Sequence, residues 1–168
     1  RMLLEMSAAD AAYVNAQDSP QRASALMLAA KNGHAATVDV LIAAHAEPLL
    51  KDATESTALS YAAKRGTRPV VESLLHAAAD APAASTKPSL ARALPIAAKA
   101  GHVEIVKLLT TNGAPIQPLM TRAAAVGVSE LLLLLLKAGA AADVDLAAEA
   151  MLCAACNGQR GIVQLLLN

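Results

Sequence analysis

Five glycines, at positions 33, 66, 101, 127 and 158, each end a short apolar segment of the same design, with spacings of 33, 35, 26 and 31 residues. The clearest copy, residues 24–46, reads SALMLAAKNGHAATVDVLIAAHA. Leu26, Leu28, Ala29 and Ala30 make one apolar stripe, Asn32 and Gly33 interrupt it, and Val38, Val40 and Leu41 resume it. Ser24 is placed to cap the first helix, its hydroxyl accepting a bond from a free first-turn N–H. Gly33 supplies the left-handed residue that ends it. A helix pair this short cannot bury its own apolar face, so it requires further copies of itself.

The copies are present. TALSYAAKRG at 57–66 repeats the first helix, and Val70, Val71 and Leu74 repeat the second. RALPIAAKAGH at 92–102 does so again, followed by Ile105, Val106, Leu108 and Leu109. Looser copies are centred on 123–127 and 154–158. A period near 33 with two helices and a turn is the ankyrin spacing, against roughly 34 for the tetratricopeptide repeat. Spacing alone leaves both open, and the residues decide between them.

The segment Thr57 to Gly66 resembles the T-P-L-H-x-A-A-x-x-G-H block of the ankyrin-repeat family, whose G-H ending stands intact as Gly33-His34 and Gly101-His102. The family's V-V-x-L-L helix is closest in Ile105 to Leu109. Its G-A step survives as Gly113-Ala114 and Gly139-Ala140, and its hairpin signature as VNAQD at 14–18. No repeat keeps the Thr-Pro pair, and Arg92 or Pro118 stands in the capping position. The resemblance implies an all-α ankyrin-repeat solenoid of helix-turn-helix units with short, irregular hairpin loops. One domain would span 1–168, with repeats at 19–52, 53–86, 87–116 and 117–146 and partial repeats at 1–18 and 147–168.

Composition agrees with stacked small-residue helices. The 168 residues are 55% hydrophobic, with no Phe or Trp to fill a large globular core. Formal net charge is zero, which counts against a general nucleic-acid binder. The opening RMLLEMS reads as the second helix of an earlier repeat, because Glu5 breaks any signal-peptide core. The closing Leu165 to Asn168 stops inside a helix, so both ends are those expected of a piece of a longer protein.

Three connections differ in character. Residues 47–56 are long enough for a full hairpin loop, and the resemblance implies its turn at Lys51-Asp52. Residues 77–91, rich in Ala, Pro and Ser, are expected to be the most irregular loop, because Pro82 and Pro88 interrupt helix. From Gly113 to Pro118 too little chain remains for a finger, so that link should join helix to helix directly. The six leucines 131–136 fall far short of the roughly 18 apolar residues a membrane span needs. Leu131, Leu132, Leu134 and Leu135 take core positions of a second helix.

No chemistry-bearing constellation emerges. Cys153 and Cys156 form a C-x-x-C without a second pair or a nearby His, and Cys153 shares the position of Leu28, Tyr61 and Ile96, read as core. Both thiols are expected reduced, as in an intracellular protein. His34 and His102 take the family's G-H position, where the resemblance implies that the imidazole ties the turn. Asp143 and Asp145 read as a solvated loop, and there is no phosphate-cradling glycine pattern. Neither a catalytic residue, a cofactor nor a metal is implied. Arg122, in the same supposed core position, predicts a local shift that frees its guanidinium.

What remains is a surface. The resemblance implies that hairpin tips and exposed first-helix positions form a concave face for a protein partner. Those positions are Lys31 and Asn32, Lys64 and Arg65, and Lys99, with Lys51 and Asp52 at a hairpin tip. Lysines at helix ends also complement the helix dipole, so the basic ridge has a plain structural explanation. Leu133 stands where Asp39, Glu72, Lys107 and Gln164 stand in the other repeats, which predicts a leucine facing solvent and a docking spot on the outer face. The expected function is a non-catalytic protein-interaction or scaffold module, with no small-molecule substrate. Two alternatives are a regulatory or targeting segment of a larger enzyme, and weak RNA or polyanion binding through the ridge. Two tyrosines as the whole aromatic complement argue against base stacking.

Overall fold

Helices come in pairs throughout the computed structural model, which describes residues 12–18, 20–79, 83–126, 129–137 and 144–167. In the first pair Ser24 Oγ accepts the Met27 N–H at 3.3 Å and opens α1 (Ala25–Asn32). Gly33, at φ 74°, ends it, with the Gly33 and His34 N–H groups returning to the Ala30 and Ala29 carbonyls at 3.1 and 3.0 Å. The chain resumes at once as α2 (Ala35–Ala43). The second pair, α3 (Ala58–Arg65) and α4 (Arg68–Ala77), turns on Gly66 at φ 88° in the same way. Neither His34 nor His102 makes a side-chain capping bond to the helix that follows it.

These pairs belong to the first of two compact units, residues 1–93 and 94–168. In it α1 packs on α3, α2 on α4, and each helix on its own partner. First helices thus form one layer and second helices another. The interior is built from Leu26, Met27, Ala29 and Ala30 against Leu59, Ala62 and Ala63, with Val38, Val70, Val71 and Leu74 behind them. Met27 is 1% exposed while Leu28 is 45% exposed, so Leu28 lies outside the core stripe. Residues i and i+2 do not share a helix face, and Leu26 already faces inward. The same correction covers that whole position: Tyr61, Ile96 and Cys153 are half-buried and Arg122 is exposed. Arg122 needs no rearrangement, because its position is surface.

From Ala83 onward the segment expected as an irregular loop is helical instead, while Pro82 lies outside the described residues. Helix α5 (Ala83–Lys99) runs through Pro88 and Pro95, so the first helix of this repeat starts well before Arg92. Each proline removes one N–H from the ladder. Burial of Leu90, Ala93, Leu94, Ala97 and Ala98 opposes that loss, and the buried Ser89 hydroxyl bonds Thr57 Oγ1 at 2.8 Å. Thr57 makes no side-chain cap for α3.

In the second unit α6 (Val103–Thr111) packs on α8 (Ser129–Lys137), and α7 (Gln117–Val126) packs on both α8 and α9 (Val144–Cys156). Helix α10 (Arg160–Leu167) packs on α9. Residues 112–116 alone join α6 to α7, leaving no finger, as the sequence implies. Pro118 sits in the first turn of α7, where a missing N–H costs little. Leu132 and Leu135 are fully buried, Leu131 is half-buried, and Leu133 is 40% exposed. The side chains of Leu134 and Leu136, the Gly139-Ala140 step, Asp143 and residues 1–7 lie outside what is described. Among the described residues there is no strand, only an isolated bridge between Gln17 and Ser24, and no helix is long and apolar enough to cross a membrane.

Candidate partner-binding face

Stacking α3 on α1 places equivalent positions of two repeats on one surface of the first unit. Leu28, Lys31 and Asn32 are exposed on α1, and Lys64 and Arg65 on α3, with the half-buried Tyr61 ring between them. The Lys31 ammonium lies 5.9 Å from the centroid of the Tyr61 ring, a cation–π contact from one repeat to the next. The Arg65 side chain runs beside the Gly33 turn, its Nε 3.5 Å from where a Gly33 Cβ would stand. Asn32 is tied to its own helix, its Nδ2 donating to the Leu28 carbonyl at 3.0 Å.

The phenol end of Tyr61 reaches the hairpin at the edge of this face. Its hydroxyl donates to Asp52 Oδ2 at 2.5 Å. Asp52 Oδ1 accepts the Thr54 N–H and hydroxyl, both at 2.7 Å, and the Ser56 N–H at 2.9 Å. Asp52, 4% exposed, is therefore an internal fastener of the hairpin and not the surface contact expected of it. Burial alone raises its pKa, but the bonds from Tyr61, Thr54 and Ser56 prevail and bring it down to about 2. The same contact with Asp52 raises the Tyr61 pKa.

Lys51 is exposed and pairs with Glu55 at 2.6 Å, a bond that lowers the Glu55 pKa. The hairpin hangs on the preceding finger through Ala53 N–H to the Gln21 carbonyl at 3.0 Å, and Gln17 Nε2 to the Lys51 carbonyl at 2.9 Å. From the other side Arg92 donates to the Thr54 carbonyl at 2.5 Å. The tip is thus fixed in place by its own neighbours.

The structure brings together Lys31, Asn32, Lys64 and Arg65, with Lys51 at the hairpin. Lys99, exposed at the end of α5, and Leu133, on α8, belong to the second unit. Leu28 and Tyr61 are the face residues that the sequence reading misplaced. Their position holds Leu, Tyr, Ile, Arg and Cys in successive repeats, and that chemical variety was the signal of exposure. Cys153 and Cys156, both free, are half-buried and exposed respectively, so Cys153 is not the buried hydrophobe expected. Among the described residues no three His, Cys, Asp or Glu side chains gather into a metal-binding group.

Layered pairs of short helices, joined by glycine turns and fringed by a hairpin, define a helical-repeat protein. A family model described as ankyrin repeats, in three copies, matches residues 2–85 and 26–118, and the chain belongs to the ankyrin-repeat family. No curated protein gives a significant match to it. Ankyrin repeats are generally protein–protein interaction modules.

Proposed function

We propose that the chain is a non-catalytic interaction module whose partner protein lies on the first-helix and hairpin face of the first unit. The observation that carries this reading is the clustering of the exposed Leu28, Lys31, Lys64 and Arg65 around the half-buried Tyr61 ring, on helices whose other faces are buried. An anchored hairpin beside them supplies a preorganised rim, and preorganisation lowers the ordering cost of association. Affinity capture with cross-linking mass spectrometry tests this reading. Cross-links from the partner should fall on Lys31, Lys64 and Lys51. A partner whose cross-links fall only on the second-helix side would refute it.

A further inference from the structure

The ionic side chains of the first unit are sorted by layer. Helices α1 and α3 carry Lys31, Lys64 and Arg65 and no carboxylate. Behind them, α2 carries Asp39 as its one ionic residue, and on α4 Arg68 is paired with Glu72 at 2.7 Å. Three described carboxylates of the loops beside the first-helix face are already engaged, while Glu47 is exposed. Asp52 is buried and accepts four hydrogen bonds, Glu55 is held by Lys51, and Asp18 accepts the Ala23 N–H at 2.5 Å. Helix α5 likewise carries Lys87, Arg92 and Lys99 and no carboxylate, whereas in the second unit α7 carries Arg122 and α9 carries Asp145 and Glu149.

Zero net charge therefore conceals a cationic face. Lysines placed merely to complement helix dipoles would not account for Leu28, 45% exposed, and the Tyr61 ring beside them. A polyanion such as single-stranded RNA would use several stacking rings. Here the one ring, Tyr61, is covered on a face by Lys31 and tied through its hydroxyl to Asp52.

We propose that the occupant of this face is an acidic peptide segment of the partner, its carboxylates meeting Lys31, Lys64 and Arg65 while an aliphatic side chain rests on Leu28 and Tyr61. This rests on the interaction reading above and names the partner's chemistry. Charge complementarity of this kind sets partner choice and association rate, and weakens with salt.

The test is selection from a random peptide library against the immobilised chain, followed by titration of the selected peptides and of oligouridylate. The expected peptides are rich in Asp and Glu with an interspersed Leu, Ile or Val. Combined Lys31→Glu, Lys64→Glu and Arg65→Glu should weaken them about tenfold or more, and Leu28→Ala should weaken them at constant salt. If the triple variant fails to fold, Lys31→Gln with Lys64→Gln and the salt dependence of the unaltered chain read the same charges. Neutral or basic peptides bound at this face would overturn the acidic partner and leave the interaction reading standing. Peptides indifferent to all these substitutions would overturn both. Oligouridylate bound as tightly as the best peptide, with no effect of Leu28→Ala, would overturn the proposal in favour of a plain polyanion site.

Discussion

The Tyr61 hydroxyl and the Asp52 carboxylate, nine positions apart, meet at 2.5 Å and fasten the hairpin to the helix that forms the candidate binding face. Asp52 enters unfolded with an ordinary carboxylate pKa near 3.8 and folds to about 2. Its folded value is depressed, so its contribution, on the order of 2 kcal/mol, is present above the unfolded pKa and lost as pH falls through the folded one. Denaturant melts of the unaltered chain should lose that stability between about pH 4 and about pH 2. Asp52→Asn should be less stable at neutral pH and flatter across the same window. Parallel profiles would remove Asp52 from the account.

Two glycines separate backbone strain from crowding. Gly33 and Gly101 both close first helices at positive φ, 74° and 77°. A Cβ at Gly33 would stand 2.8 Å from Thr67 Cγ2, whereas at Gly101 nothing lies within 4 Å. Gly101→Ala should cost about 1 kcal/mol from the left-handed conformation alone. Gly33→Ala should cost more, because Thr67 must also move. Equal losses in chemical denaturation would mean the Thr67 contact is irrelevant.

Ser60 is 3% exposed and its hydroxyl has no hydrogen-bond partner. A buried hydroxyl left unmade costs about 1–3 kcal/mol, and Ala is also the better helix former. Ser60→Ala should therefore raise the thermal midpoint, against the usual direction of a core truncation. A lowered midpoint would point to a bridging water at that site.

Leu133→Glu tests the outward-facing position on α8. Leu133 is 40% exposed between the buried Leu132 and Leu135. Stability of the isolated chain should stay within about 0.5 kcal/mol, as for ordinary surface changes. Leu135→Glu, by contrast, should prevent folding of that repeat. Unfolding of the Leu133 variant would place that leucine in the core.

Much of this was legible because it is encoded locally. The glycine turns at 33 and 66, the Ser24 cap, the bare link at 112–116 and the solvent-facing Leu133 all follow from residue type at a fixed place in the repeat. What the sequence hid depended on tertiary context. Pro88 reads as a breaker, yet Leu90 and Ser89 find buried partners that keep α5 helical. Asp52 reads as a polar tip, yet Thr54 and Ser56 of its own hairpin and Tyr61 from the next helix together hold it inward. Leu28 reads as core by hydropathy, while the angular offset from Leu26 puts it outside.

Site-specific photocross-linking measures the central claim most directly. A photoreactive residue would replace Leu28 on the first-helix face, and in separate variants Val40, 68% exposed on α2, or Leu133 on α8. With the captured partner present, the Leu28 variant should form the covalent adduct, and the adduct should disappear when Lys31, Lys64 and Arg65 are reversed to Glu. Adducts formed from Val40 or Leu133 but not from Leu28 would contradict the assignment of this face as the binding surface.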